Sequence, residues 1–133
     1  MLRLRLAPPV LALIAAASLG LAASGAAAAL PSIVGTWSGR LIAPAGSHVS
    51  SQHFTFVVDR GERAGTWRIS PTCGGKLRLK DISSGYHHYY RLGARGCAAP
   101  GIDCLKRSGA QMVDVFVANG GGPNISGQFR RIR

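Results

Sequence analysis

From Ile33 onward, apolar and polar residues alternate in short runs, and Gly, Pro, Asn or Ser ends each run. The same region nowhere holds a helical period. A period of two puts successive side chains on opposite faces of a strand, which confines the chain to β architectures. In the first run Ile33, Trp37 and Leu41 share a face with Gly35 and Gly39, while Thr36, Ser38 and Arg40 share the other. The second run turns Phe54, Phe56 and Val58 inward. The third turns Trp67 and Ile69 inward and Arg68 outward, and stops at Pro71, which has no N–H to give to a ladder. The fourth, Gly74 to Ile82, has Leu77 and Leu79 inside and Lys76, Arg78 and Lys80 outside.

The later runs read the same way. Over Tyr86 to Leu92, an inward Leu92 and an outward Arg91 place Tyr86, His88 and Tyr90 inside, as a polar strip facing any small ligand. Ile102 to Lys106 is a weak strand carrying Cys104 inward beside Ile102. Gln111 to Ala118 turns Val113, Val115 and Val117 inward and leaves Met112 and Phe116 as apolar spots outside. Ile125 to Ile132 turns Ile125, Gly127, Phe129 and Arg131 inward. These segments predict an all-β antiparallel meander of about eight strands. Closure into a small barrel leaves no open edge, and a two-sheet β-sandwich fits the same pattern. The bulk of Trp37, Trp67, Phe54, Phe56 and Phe129 predicts a largely filled interior.

Residues 1–29 read as a cleaved secretory signal. Arg3 and Arg5 precede an apolar run from Leu11 to Ala23, and Ala26 to Ala29 form a small-residue cleavage zone. Residues 30–133 then form one domain of 133 − 29 = 104 residues, secreted and without a transmembrane span. Removing Arg3 and Arg5 leaves 14 basic against 5 acidic residues, a charge of 14 − 5 = +9. That surplus favours anionic partners: wall polymers, anionic lipid or an acidic protein. An exported chain without an RRM or OB signature is not expected to meet nucleic acid.

The chemistry-bearing residues are few. Three Cys in an exported chain imply one bridge and one leftover thiol, and spacing permits three pairings. His87 and His88, adjacent on a strand, face opposite sides and cannot chelate one metal. The acids Asp59, Glu62, Asp81, Asp103 and Asp114 form no recognisable catalytic pair, and no G-x-S-x-G, H-E-x-x-H or phosphate loop occurs. No enzyme activity, cofactor or metal is expected.

Two resemblances extend this reading. Gly35-Thr36-Trp37 on the first strand, with Arg131 on the last, resembles the calycin pattern of lipocalins, fatty-acid-binding proteins and avidin-like proteins. It implies a barrel floored by Trp37, with the Arg131 guanidinium stacked on the indole. The same word returns as Gly65-Thr66-Trp67, which reads as a second structural ring. Biotin is not implied, because no biotin-contact motif is recognisable. Trp37-Ser38-Gly39, Cys73-Gly74-Gly75-Lys76-Leu77-Arg78-Leu79, Cys97 and Gly127-Gln128-Phe129-Arg130 are together similar to small extracellular domains of actinobacteria. That similarity implies a Cys73–Cys97 bridge with Cys104 free; by spacing alone Cys97–Cys104 competes. The expected function is an exported non-enzymatic binding protein for a small ligand or an anionic cell-envelope component. The alternative is a protein-interaction or inhibitor module acting through its basic outer surface.

Overall fold

The structure, a computed structural model, describes residues 29–133, so the expected leader, Ala29 apart, lies outside the described residues. Eight strands follow one another: β1 (Gly35–Ile42), β2 (Gln52–Val58), β3 (Ala64–Ser70), β4 (Cys73–Ser83), β5 (Tyr86–Leu92), β6 (Gly101–Ser108), β7 (Gln111–Ala118) and β8 (Ile125–Arg131). Each pairs antiparallel with the next, and β8 pairs with β1, so the meander is a closed barrel and not a sandwich. Closure satisfies the two strand edges that an open sheet would expose.

The seam between β1 and β8 is tight. Phe129 lies opposite Gly39, and Gly127 opposite Leu41. A Cβ on Gly39 would run into the backbone of Gln128 and Phe129 and into the Phe129 ring. The missing side chain is therefore what lets the last strand seat its aromatic ring. Trp37, Phe56 and Phe129 are fully buried, and Phe54 and Trp67 nearly so. The Phe56 and Phe129 rings meet edge to face at 5.0 Å, and Phe54 lies 5.6 Å from Phe56 and 6.2 Å from Trp67. Each such ring contributes about 1.5–3 kcal/mol from area alone, with about 0.5–1.5 kcal/mol more from ring geometry. The barrel is filled, in the manner of small eight-stranded barrels packed by their own side chains.

Both ends are covered. At one, the segment leading into β1 folds across the barrel and buries Ile33 completely. Trp37 Nε1 donates to the Ile33 carbonyl at 2.8 Å. Arg131 sits 4.9 Å above the Trp37 ring and donates to the Val34 carbonyl at 2.5 Å. At the other, the loop between β5 and β6 is pinned by Cys73–Cys97, whose Cα atoms are 5.8 Å apart. Ala94 of that loop packs into the core, and Trp67 Nε1 donates to the Leu92 carbonyl at 2.9 Å. Closing a loop of 24 residues restricts the unfolded chain by about 3 kcal/mol.

Three strands face the opposite way from expectation. On β5 it is His87, Tyr89 and Arg91 that are buried; Tyr86, His88 and Tyr90 lie half-buried on the outer wall, and Leu92 is exposed at the barrel end. On β6 Asp103 and Leu105 point inward and Cys104 outward. On β7 Met112, Asp114 and Phe116 are inside, and Val113, Val115 and Val117 are outside. On β5 and β6 the Arg91–Asp103 pair sets the direction; on β7 the cause is volume. β-branched Val suits either face of a pleated sheet, whereas Met112 and Phe116 carry more apolar surface to bury. Seating them inside forces Asp114, which lies between them, inside as well.

Candidate functional site

The inverted strands bring charge into the barrel. Arg91 and Asp103 form a bidentate pair, Arg91 Nε donating to Asp103 Oδ2 at 2.9 Å and Nη2 to Oδ1. Their side chains are 3% and 0% exposed, so the pair is dry. Aromatic rings complete the guanidinium's surroundings: its carbon lies 3.7 Å from the Phe116 centroid, 4.7 Å from Phe54 and 5.6 Å from Trp67. Gly101 lies opposite Arg91 across the ladder. A Cβ there would strike the Phe116 ring, so glycine keeps the ring's place open. Buried ions survive when they are paired and hydrogen-bonded, and the two-pronged contact of Arg91 with Asp103 supplies that pairing here.

Asp114 is the third member of this cluster. It is fully buried, and neither carboxyl oxygen has a hydrogen-bond partner. Burial first, and then the Asp103 carboxylate, push its carboxyl well above the ordinary value; Arg91 pulls the other way more weakly. Asp103 and the Cys104 N–H act on it electrostatically, outside hydrogen-bonding geometry. One cation cannot neutralise two buried carboxylates, so the arrangement favours the protonated form of Asp114.

A second cluster closes the end beneath Ile33. Glu62 adopts a left-handed backbone at φ 57° in the turn between β2 and β3. Its Oε1 accepts from the Ser32 hydroxyl at 2.7 Å and the Ile33 N–H at 2.8 Å, and its Oε2 contacts His87 Nε2 at 3.2 Å. The Tyr89 hydroxyl donates to the Glu62 carbonyl at 2.5 Å. Burial alone would raise the Glu62 carboxyl, but these hydrogen bonds and His87 together hold it below its usual range. The cluster is a strap that ties the entry segment to β5.

The third cluster lies outside. A β-bulge between Leu79 and Asp81 shifts the register of β4 against β5, so that Asp81 stands opposite His88 and Ser83 opposite Tyr86. A bulge adds a residue to one strand, and here consecutive Lys80 and Asp81 both reach the outer wall. His88 Nδ1 donates to Asp81 Oδ1 at 2.5 Å, the Ser83 hydroxyl donates to the same oxygen at 2.8 Å, and Lys80 Nζ reaches Asp81 Oδ2 at 2.6 Å. Ser, His and Asp thus meet, but both Ser83 and Asp81 address His88 Nδ1. A nucleophilic triad needs the serine on the opposite ring nitrogen from the acid, so this one fixes the imidazole and does not activate Ser83. The Tyr86 and His88 rings lie 6.3 Å apart and 16° from parallel. Lys106 approaches Tyr86 at 5.4 Å and Arg78 approaches Tyr90 at 5.3 Å.

Tyr86, His88 and Tyr90 are therefore brought together, but on the exterior and not around an internal ligand. Cys73 and Cys97 are joined, and Trp37 and Arg131 are stacked. Cys104 is free and half-buried. Burial, then Asp114, Asp103 and Asp81, push its thiol up to about 11, which leaves little thiolate for chemistry. Among the described residues no three His, Cys, Asp or Glu side chains converge as a metal site, and no helix is long and apolar enough to cross a membrane. Open clefts mark the surface of the described residues. One of about 510 Å³ sits at the disulfide-pinned end between Tyr90, Arg91, Arg95, Pro100 and Asn119. One of about 680 Å³ lies along Arg40, Pro44, Val113 and Gln128, and one of about 450 Å³ beside Trp37, Arg107 and Arg130. Arg91, Asp103 and Asp114 were missed by alternation, because the contact that joins them runs between strands and leaves no local signal. Comparison of the chain with protein-family models, curated proteins and solved structures gives no match in any of the three.

Proposed function

We propose that this is an exported, non-enzymatic binding protein that engages an anionic component of the cell envelope through the outside of a filled barrel. One observation carries the reading. Rings and the Arg91–Asp103 pair occupy the interior, whereas Arg40, Arg68, Lys76, Arg78, Lys80, Lys106 and Arg130 all stand exposed on the strands. Ligand capture inside the barrel would have to displace that packing. Charge on the wall is free to steer and hold a polyanion. The Cys73–Cys97 bridge supports export into an oxidising compartment, as does the basic, apolar, small-residue order of residues 1–29. The Trp37–Arg131 stack supports calycin-like kinship. The single-nitrogen geometry at His88 and the high Cys104 thiol speak against nucleophilic catalysis.

The decisive measurement is co-sedimentation of the mature protein with isolated cell-envelope fragments across a salt series. Binding is expected at about 0.05 M salt and lost by about 0.5 M, as the screening length shrinks. Absence of binding at low salt, or binding indifferent to salt, refutes the reading. A second reading, a small ligand in the cleft between Tyr90, Arg95 and Asn119, rests on the size of that cleft, about 510 Å³. Native mass spectrometry of protein purified from its host should then find a retained mass.

A further inference from the structure

Resting on the envelope-binding reading, we infer that the outer face of β4–β6 is a platform for an anionic polysaccharide chain, with Tyr86, His88 and Tyr90 as its stacking row. The three residues alternate along one strand, so their rings are spread over about 13 Å at the usual strand rise. Such a row matches an extended chain better than a compact ligand. Arg78 and Lys80 border it on β4, and Lys106 borders it on β6. Cations thus line both edges of an aromatic strip. The strip also runs toward an opening, because Tyr90 is shared with the cleft at the disulfide-pinned end, where Arg95 adds another cation.

The mixture of groups selects the class of polyanion. Aromatic faces take the positively polarised C–H edge of a sugar ring, as they take other apolar groups. Hydroxyl-rich chains need acceptors as well as cations. Asp81 supplies them from the middle of the platform, with its side chain 37% exposed and its orientation fixed by Lys80, Ser83 and His88. A phosphodiester backbone gains nothing from a carboxylate there, and neither does a polyacidic peptide. Sugar hydroxyls donate to it. The acid that weakens a general anion site is therefore what favours a glycan over the other polyanions.

The test uses the mature protein and three soluble polymers: polygalacturonate as the anionic glycan, polyglutamate as an anionic peptide and oligo-dT as an anionic nucleic acid. Polygalacturonate is expected to bind most tightly. The Tyr86→Ala/Tyr90→Ala pair should weaken it at least about tenfold, the scale of two lost aromatic contacts. Lys106→Glu, a surface change that leaves the core intact, should weaken it too. Arg133→Ala, beyond the end of β8 and beside Thr36 of β1, should change it less than about twofold. Equal binding of polyglutamate with no effect of the Tyr pair removes the platform while leaving the charge-based envelope reading standing. Preference for oligo-dT through the same residues overturns the glycan assignment. Failure of all three polymers at low salt, together with failure to bind envelope fragments, removes both.

Discussion

The two halves of the barrel interior are built on opposite principles. Around β1, β2, β3 and β8 the inward positions hold Trp37, Phe54, Phe56, Trp67 and Phe129, packed ring against ring. Around β5, β6 and β7 they hold His87, Tyr89, Arg91, Asp103 and Asp114 among a few apolar residues. The first half is stabilised by removing surface from water and tolerates small rearrangements. The second is stabilised only if every charge finds its partner, and the surroundings of Asp114 disfavour its charged form. The polar half still needs the apolar one, because Phe54 and Trp67 supply faces against which the Arg91 guanidinium rests.

Substitutions can separate the two principles. The largest effect is expected from Trp37→Ala, which empties the floor and strands Arg131, at the upper end of about 3–5 kcal/mol in denaturant unfolding. A nearly unchanged midpoint would show that the ring is not holding that end. Asp103→Ala should cost nearly as much, about 3–4 kcal/mol, because it removes the carboxylate that both hydrogen bonds of a buried guanidinium reach. Here the halves part company. Arg91→Met with Asp103→Leu should recover most of that loss, since a matched apolar pair can replace a matched ionic one. No second substitution at a neighbour is expected to rescue Trp37→Ala so simply. If the double variant stays as unstable as the single, the pair contributes more than its own neutralisation.

The smallest effect is the most diagnostic. Asp114 has its folded carboxyl raised above its ordinary value of 3.8. The stability it contributes is fully present below that ordinary value and fades as pH rises toward the raised folded one, by up to about 1.4 kcal/mol per pH unit. Asp114→Asn cannot ionise, so its unfolding free energy should be flatter than wild type over that window. Parallel profiles for the two proteins would mean that Asp114 is already charged when folded. Glu62 carries the opposite sign: its lowered carboxyl contributes above its unfolded value and is lost as pH falls through the folded one.

The apolar half was legible in the sequence, and the polar half was not, for a physical reason. Alternation reports hydrophobicity, and in β1 to β4 and β8 every aromatic residue takes the inward parity, with Ile42, Val57 and Ile82 the apolar residues on the other. In β7 both parities are apolar, Val113, Val115 and Val117 against Met112 and Phe116, so the pattern gives no direction. In β5, Tyr-His-His-Tyr-Tyr-Arg-Leu is amphipathic at nearly every position. What orients it is the Arg91–Asp103 pair, a contact between strands that no local period encodes. The outer cluster was hidden for a related reason, because the bulge after Leu79 shifts the pairing.

The seam between β1 and β8 has a consequence for how such a chain comes to be folded. It joins segments nearly the whole domain apart; Arg131 and Val34, bonded across it, are separated by 97 positions. The Arg131 lid and the Phe129 plug both arrive on the final strand. A chain delivered amino end first therefore holds its first strand ready, with one edge unsatisfied, until the last seven-residue strand has emerged. Ring closure is in that sense a timer. It withholds the finished barrel until β8 is free to pair with β1.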